Sequence, residues 1–255
     1  MDLGLQGARA LVGGASGGLG AAVARALAAE GARVAVAARS TDKLAAFAGE
    51  IDGVALATDL STADGPASAV DGAVAALGGL DLLVVNSGGP PMGRFEDLTE
   101  AQWRTAIEGT LQSALRLLRA GLPHIRAGDH GAILIILSSS VREPIPGLTL
   151  SNVLRPGLDG LVKSLAAEIA PVRINGIAPG RVATDRIATL DAARAERDGT
   201  SVAEIQRQTM ERIPLGRYGE PAEIGRVAAF LLSPAASYVS AQVVGVDGAM
   251  VRSLP

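Results

Sequence analysis

Short apolar runs of β character alternate with helical patterns along the whole chain, and no linker interrupts them. The sequence therefore predicts an α/β fold: a doubly wound parallel sheet of about seven strands, with helices on both faces. Segments 9–12, 33–37, 54–57, 82–86, 133–137, 172–178 and 242–246 are the candidate strands, and most read as continuous apolar runs. Parallel strands covered on both sides read this way. Between them, Leu19, Val23 and Leu27 share one helical face. So do Trp103, Ile107, Leu111, Leu118, Leu122 and Ile125, and then Leu158, Leu161, Val162, Leu165 and Ile169. With 255 residues, 48% hydrophobic and 19% charged, the chain is long and apolar enough for one large buried core.

The first strand runs into Gly13-Gly14-Ala15-Ser16-Gly17-Gly18-Leu19-Gly20 and then a helix. Glycines let the backbone turn sharply and approach a pyrophosphate, while a helix start offers free N–H groups and a positive dipole end. Placed between the first strand and first helix of a βαβ chain, the run reads as a dinucleotide loop of Rossmann type. Gly14, Ser16, Gly18, Leu19 and Gly20 are its candidate contacts. The second strand ends Ala37-Ala38-Arg39-Ser40. A carboxylate there would bind a ribose 2′-hydroxyl and repel a 2′-phosphate. Arg39 can instead fork onto a phosphate, so NADP(H) is the expected cofactor, with NAD(H) possible.

Later elements carry start signals. Thr99 with Gln102, and Ser201 with Glu204, have capping-box spacing, and Pro221 suits a first helical turn. Residues 183–218 form the one long interruption, polar and rich in both charge signs, as a mobile lid over a site would be. One domain over 1–255 with this lid is the expected organisation.

Composition narrows the function classes. A net charge of −3 gives no basic face for nucleic acid. The apolar stretch 132–137 is far too short to span a bilayer. Met1-Asp2-Leu3-Gly4 lacks the order of a signal peptide. Without cysteine there is no disulfide framework or thiolate site, and a cytoplasmic location is the default. His124 and His130 fall before the fifth strand, at the edge of the sheet away from the carboxyl-end crevice, and no metal-ligand cluster is visible.

The loop spacing Gly14-x-x-x-Gly18-x-Gly20 differs from the common G-x-G-x-x-G and resembles the short-chain dehydrogenase/reductase family, with Gly13 in place of its threonine. Asp59-Leu60 at the end of the third strand stands where the family meets the adenine. Asn86-Ser87-Gly88-Gly89 stands for its N-N-A-G, and Ser138 closes the fifth strand as the family's serine does. Asn175 through Pro179-Gly180 and Val182 to Thr184 is similar to its N-x-x-x-P-G-x-x-x-T, and Val246-Asp247-Gly248 to its last strand end. The resemblance spans the chain and looks nearest to β-ketoacyl-carrier-protein-reductase-like members. It implies a carbonyl/CH–OH oxidoreductase with a small-molecule substrate. It also implies a homodimer or homotetramer whose helices at 103–126 and 152–170 meet across a two-fold axis.

The catalytic positions depart from the family. Counting from Ser138, the tyrosine position falls on Ser151 and the lysine position on Arg155; counting from Trp103, the asparagine position falls on Thr110. An aliphatic hydroxyl is a far weaker acid than a phenol, and arginine stays protonated where lysine can relay. Ser138 and Ser151 could still hold a carbonyl oxygen. Arg155 could bind ribose hydroxyls and support a developing alkoxide. Glu143 or Asp185 could act as an acid if burial raised its pKa. An NADP(H)-dependent oxidoreductase with a rebuilt site is the expectation; the alternative is a non-catalytic dinucleotide-binding sensor or partner.

Overall fold

The computed structural model describes residues 2–128 and 131–253. Among these, the strands are β1 Arg9–Gly13, β2 Arg33–Ala38, β3 Val54–Ala57, β4 Leu82–Val85, β5 Ala132–Ile136, β6 Arg173–Pro179 and β7 Val243–Val246. They form one sheet in the order β3-β2-β1-β4-β5-β6-β7, every pair parallel. The expected doubly wound sheet is what the chain forms.

Neighbouring residues of each central strand bury their side chains on opposite faces. Ile133 and Ile135 join Leu11 and Leu83 under α3 Gly65–Leu77, α5 Ser113–Arg126 and α6 Thr149–Glu168. Leu134 and Ile136 join Val12 and Val84 under α1 Gly18–Ala29, α2 Thr41–Glu50 and α9 Pro221–Leu232. Because both faces are covered, the strands cannot alternate apolar with polar. Cutting a fully buried leucine such as Leu134 to alanine costs about 2–5 kcal/mol in such a core.

Three boundaries differ from the sequence reading. Asp59 and Leu60 lie beyond β3 instead of closing it, Asn86 lies just past β4, and Ser138 caps a 3₁₀ turn (Ser139–Val141) after β5. The helix expected through Trp103 and Ile125 is not continuous. α4 Glu100–Ala106 passes through a π turn, Ile107–Gln112, before α5 begins. The wider turn breaks the single apolar face: Trp103 and Ile107 pack with Leu98, Leu150 and Leu154, while Leu118 and Ile125 enter the main core. It also sets Thr110 inside the protein, and a π turn often marks a functional site.

Residues 183–218 are not an irregular loop. They hold α7 Asp185–Asp198, whose first turn Thr184 caps, and α8 Val202–Met210, capped by Ser201 without the reciprocal bond its spacing suggested. Thr99 and Gln102 do form a full capping box, as do Glu220 and Glu223 at the start of α9. His124 sits in the last turn of α5, on the edge where β5 begins; His130 lies outside the described residues.

Candidate active site

The strand order reverses between β1 and β4, which opens a crevice at their carboxyl ends. Asn86 closes its floor, donating its side-chain amide to the carbonyls of Gly13 at 3.1 Å and Gly14 at 3.3 Å. The glycines of the loop are small for different reasons. A Cβ on Gly14 would sit 2.8 Å from the Asn86 Nδ2, and one on Gly20 would press into the Gly14 carbonyl. Gly18, at φ +56°, faces open space in which the nearest atom is the Thr184 Cγ2 at 3.8 Å. There α1 begins with no side-chain cap and no acidic residue in its first turn. Its leading N–H groups are therefore available to an anion.

A cleft of about 760 Å³ opens in front of this turn. Gly14, Ser16, Gly18 and Leu19 line it from the loop, Asn86 and Gly88 from the end of β4, and Pro179, Gly180, Val182 and Thr184 from the segment after β6. Ser138, Ser151 and Arg155 line its other end. Arg39, Asp59, Leu60 and Gly20 lie off this lining. Leu60 is buried in the core beneath β1, so its side chain offers no contact surface. Arg39 is exposed past the end of β2. The Ser61 hydroxyl and N–H hold Asp59 below the usual carboxylate range, and the Arg39 charge adds to this.

At the inner end the serines bond to one another. The Ser138 Oγ accepts from the Ser140 N–H at 3.1 Å, and the Ser140 and Ser151 hydroxyls, both buried, lie 3.4 Å apart. Arg155, one helical turn beyond Ser151, is only 9% exposed. Its Nη1 donates to the carbonyls of Ile136 at 2.7 Å and Leu137 at 2.9 Å. Burial, with the charge of Arg186 second, pushes the guanidinium pKa down to about 10. Behind it a cavity of about 10 Å³ is lined by Asn86, Thr110, Ser113 and Arg155, so the π turn brings Thr110 to the back of the site.

Glu143 and Asp185 do line the cleft, but both are exposed, so the burial that would make either an acid is missing. Two features escaped the sequence. Arg186, in the first turn of α7, reaches across to donate to the carbonyls of Gly89 at 3.1 Å and Pro90 at 2.8 Å. Under the same segment, the Tyr218 hydroxyl donates to the buried Asp191 at 2.8 Å, with Arg181 3.5 Å from that carboxylate. Tyr218 and Asp191 stand 27 positions apart, so no local pattern announces the pair.

Residues 14–250 match the family model described as enoyl-(acyl carrier protein) reductase. The chain belongs to the short-chain dehydrogenase/reductase family. It is 31% identical to the 3-oxoacyl-[acyl-carrier-protein] reductase of Staphylococcus aureus, covering 94% of this chain and 97% of that one. Among solved structures of the family, L-sorbose reductase from Gluconobacter frateurii, complexed with NADPH and L-sorbose, superimposes with a TM-score of 0.94 at 28% identity over the full length of both chains. A short-chain oxidoreductase of Pseudomonas aeruginosa PAO1, described as containing an atypical catalytic center, gives a TM-score of 0.89 at 30% identity, covering 98% of this chain and 100% of that one. No helix among the described residues is long and apolar enough to cross a membrane.

Proposed function

We propose that this short-chain family member is an NADP(H)-dependent oxidoreductase acting on a carbonyl or the matching alcohol, with a site rebuilt around Ser138, Ser151 and Arg155. One observation carries the reading. The glycine turn, the uncapped start of α1 and the three candidate catalytic side chains all open onto a single cleft. Its size suits a cofactor together with a small substrate. The open space before Gly18, beside packed Gly14 and Gly20, fits a pyrophosphate laid against the backbone. A nicotinamide bound in this cleft supplies or accepts the hydride.

The chain's own residues do the rest. Gly14, Ser16, Gly18, Leu19 and Gly20 shape the phosphate turn, Asp59 and the Leu60 backbone border the adenine end, and Arg39 takes the 2′-phosphate. NAD(H), lacking that phosphate, is the weaker ligand. Asn86 and Gly88 on one side, and Pro179, Gly180, Val182 and Thr184 on the other, flank the nicotinamide half. Ser138 and Ser151 donate to the carbonyl oxygen. Arg155 counters negative charge growing there, the preorganised electrostatic help that desolvation strengthens. Residues 183–218 act as a lid on the one dinucleotide domain.

This arrangement replaces the family's phenol with hydrogen bonds and charge, and the proton that turns the alkoxide into the alcohol comes from solvent water entering the cleft. The Pseudomonas relative with an atypical catalytic center supports such a rebuilding within this fold. Titrating NADPH and NADH by fluorescence, followed by single-turnover hydride transfer to ketones, aldehydes and quinones, tests the reading. Tight NADPH binding with oxidation by at least one class is expected. No NADPH binding to the folded protein overturns it.

A further inference from the structure

We propose that Arg155 and Arg186 form an anion site at the inner end of the cleft, and that the substrate is a 2-oxo acid, or the matching 2-hydroxy acid, carrying an apolar chain. This rests on the oxidoreductase reading and names its substrate class.

The two arginines are aimed and uncompensated. Both line the cleft, and each is held by backbone carbonyls: Arg155 by Ile136 and Leu137, Arg186 by Gly89 and Pro90. Among the described residues no carboxylate comes within 4 Å of either, although Glu143 and Asp185 line the same cleft. Of the four other cleft arginines three are paired among the described residues, and Arg212, which is exposed, is not. Arg181 faces Asp191, while Arg194 and Arg197 share Asp198. Arg186 also bears electrostatically on Arg155. Arg155 is drawn out of water, and the like charge of the exposed Arg186 nearby opposes this unless an anion joins the two. A planar fork suits a carboxylate in particular.

Spacing then favours a place for the anion on the substrate. Ser151 and Arg155 are i, i+4 neighbours on α6, and residues so spaced stand about 5–6 Å apart at Cβ. With Ser151 holding the carbonyl oxygen, a carboxylate on the adjacent carbon is the arrangement that keeps both groups within one short substrate head. The opposite wall is apolar, formed by Pro144, Ile145, Pro146, Leu148, Ile187 and Leu190. A chain longer than a methyl group has somewhere to go.

Calorimetric titration with two matched pairs tests this: pyruvate against methyl pyruvate, and 2-oxo-4-phenylbutanoate against its methyl ester, each with and without saturating NADP⁺. Wild type should prefer the acids, and the phenyl acid most. Arg186→Gln should lose about tenfold or more of the acid preference, as expected when one charge-assisted fork is removed. Its NADPH affinity by fluorescence should stay unchanged, and its thermal transition should remain cooperative. Arg186→Lys, which keeps the charge, should recover part of the preference. Equal affinity for acid and ester in both pairs overturns the proposal. So does an Arg186→Gln variant that loses NADPH and acid together, because the guanidiniums would then serve the cofactor's phosphates. Failure of wild type to bind NADPH, with the acid preference intact in the nucleotide-free titration, would instead count against the cofactor reading while upholding the anion site.

Discussion

The Ser140 hydroxyl lies 3.4 Å from that of Ser151, both buried at the inner end of the cleft. Ser151 is thus held by another weak acid, not by a base or a cation that could tune it, and the nearest strong charge on α6 is Arg155, tied by Nη1 to two carbonyls. Wild type should therefore reduce a short β-ketoacyl thioester very slowly. Replacing Ser151 by Tyr and Arg155 by Lys, with Thr110→Asn, should raise NADPH oxidation toward the about 10²–10⁴-fold that general acid catalysis contributes. Tyrosine alone should help less. Fast turnover of that thioester by wild type would show that the standard acid is dispensable here.

Substitutions in the glycine turn should separate binding from folding. Gly18→Val places a branched side chain in the open space before α1, so NADPH binding should be lost, with some loss of stability because φ there is positive. Gly20→Ala drives a Cβ into the Gly14 carbonyl and should chiefly lower the melting temperature. Fluorescence titration and thermal melts on both variants read the two effects. Unchanged NADPH affinity in Gly18→Val would mean the loop is only structural.

Arg39→Ala should weaken NADPH far more than NADH, because only the former carries the 2′-phosphate. Parallel titrations of both nucleotides measure the ratio. Equal losses would remove the basis for NADP(H) preference.

Tyr218→Phe should destabilise the fold by about 1–3 kcal/mol, since it strips a donor from the buried Asp191 carboxylate. Burial first, and then the carboxylate it serves, raises the Tyr218 phenol above its usual pKa. The folded protein thus holds this proton more tightly than the unfolded chain. The stabilisation is complete below pH 10, the unfolded value, and fades as pH rises through the higher folded one. In a Tyr238→Phe background Tyr218 is the sole phenol, and its absorbance titration at alkaline pH should have a midpoint above the ordinary phenol value of about 10. A midpoint below that value would contradict the geometry.

Light scattering at micromolar concentration should give a dimer or tetramer. Val153 on α6 and Phe95 ahead of α4 are 54% and 72% exposed, apolar surface that association would cover. A monomer would show that these side chains serve another purpose.

Much of the fold was legible because parallel strands leave a plain mark: Ile133, Leu134, Ile135 and Ile136 are all apolar since both faces are covered. The glycine loop was legible for a similar reason: Gly13, Gly14 and Gly20 leave no room for a Cβ, and Gly18 takes a positive φ. Helix α7 and the body of α8 lay behind polar surfaces, with only the Ser201 cap announcing α8, because their stabilising contacts are caps and ion pairs. The Arg186 reach to Gly89 and Pro90 spans almost a hundred positions and depends on how α7 lands, which no local pattern encodes. Asp59 was misplaced at a strand end because pairing with β2 stops at Ala57, a limit set by the neighbouring strand.

The π turn at Ile107–Gln112 has a consequence for insertions and deletions. A π turn carries one residue more than an α turn of similar rise. Removing one residue there should leave a straighter, locally more stable helix rather than a broken one, so the segment is a place where chain length can change without cost to folding. The removal would shift Thr110 round the axis, away from Arg155, while Trp103 and Ile125 would keep nearly their present relation, because the π turn already takes up the extra residue. In a lineage of such chains, the length of this helix would record whether the back wall of the cleft was still under selection.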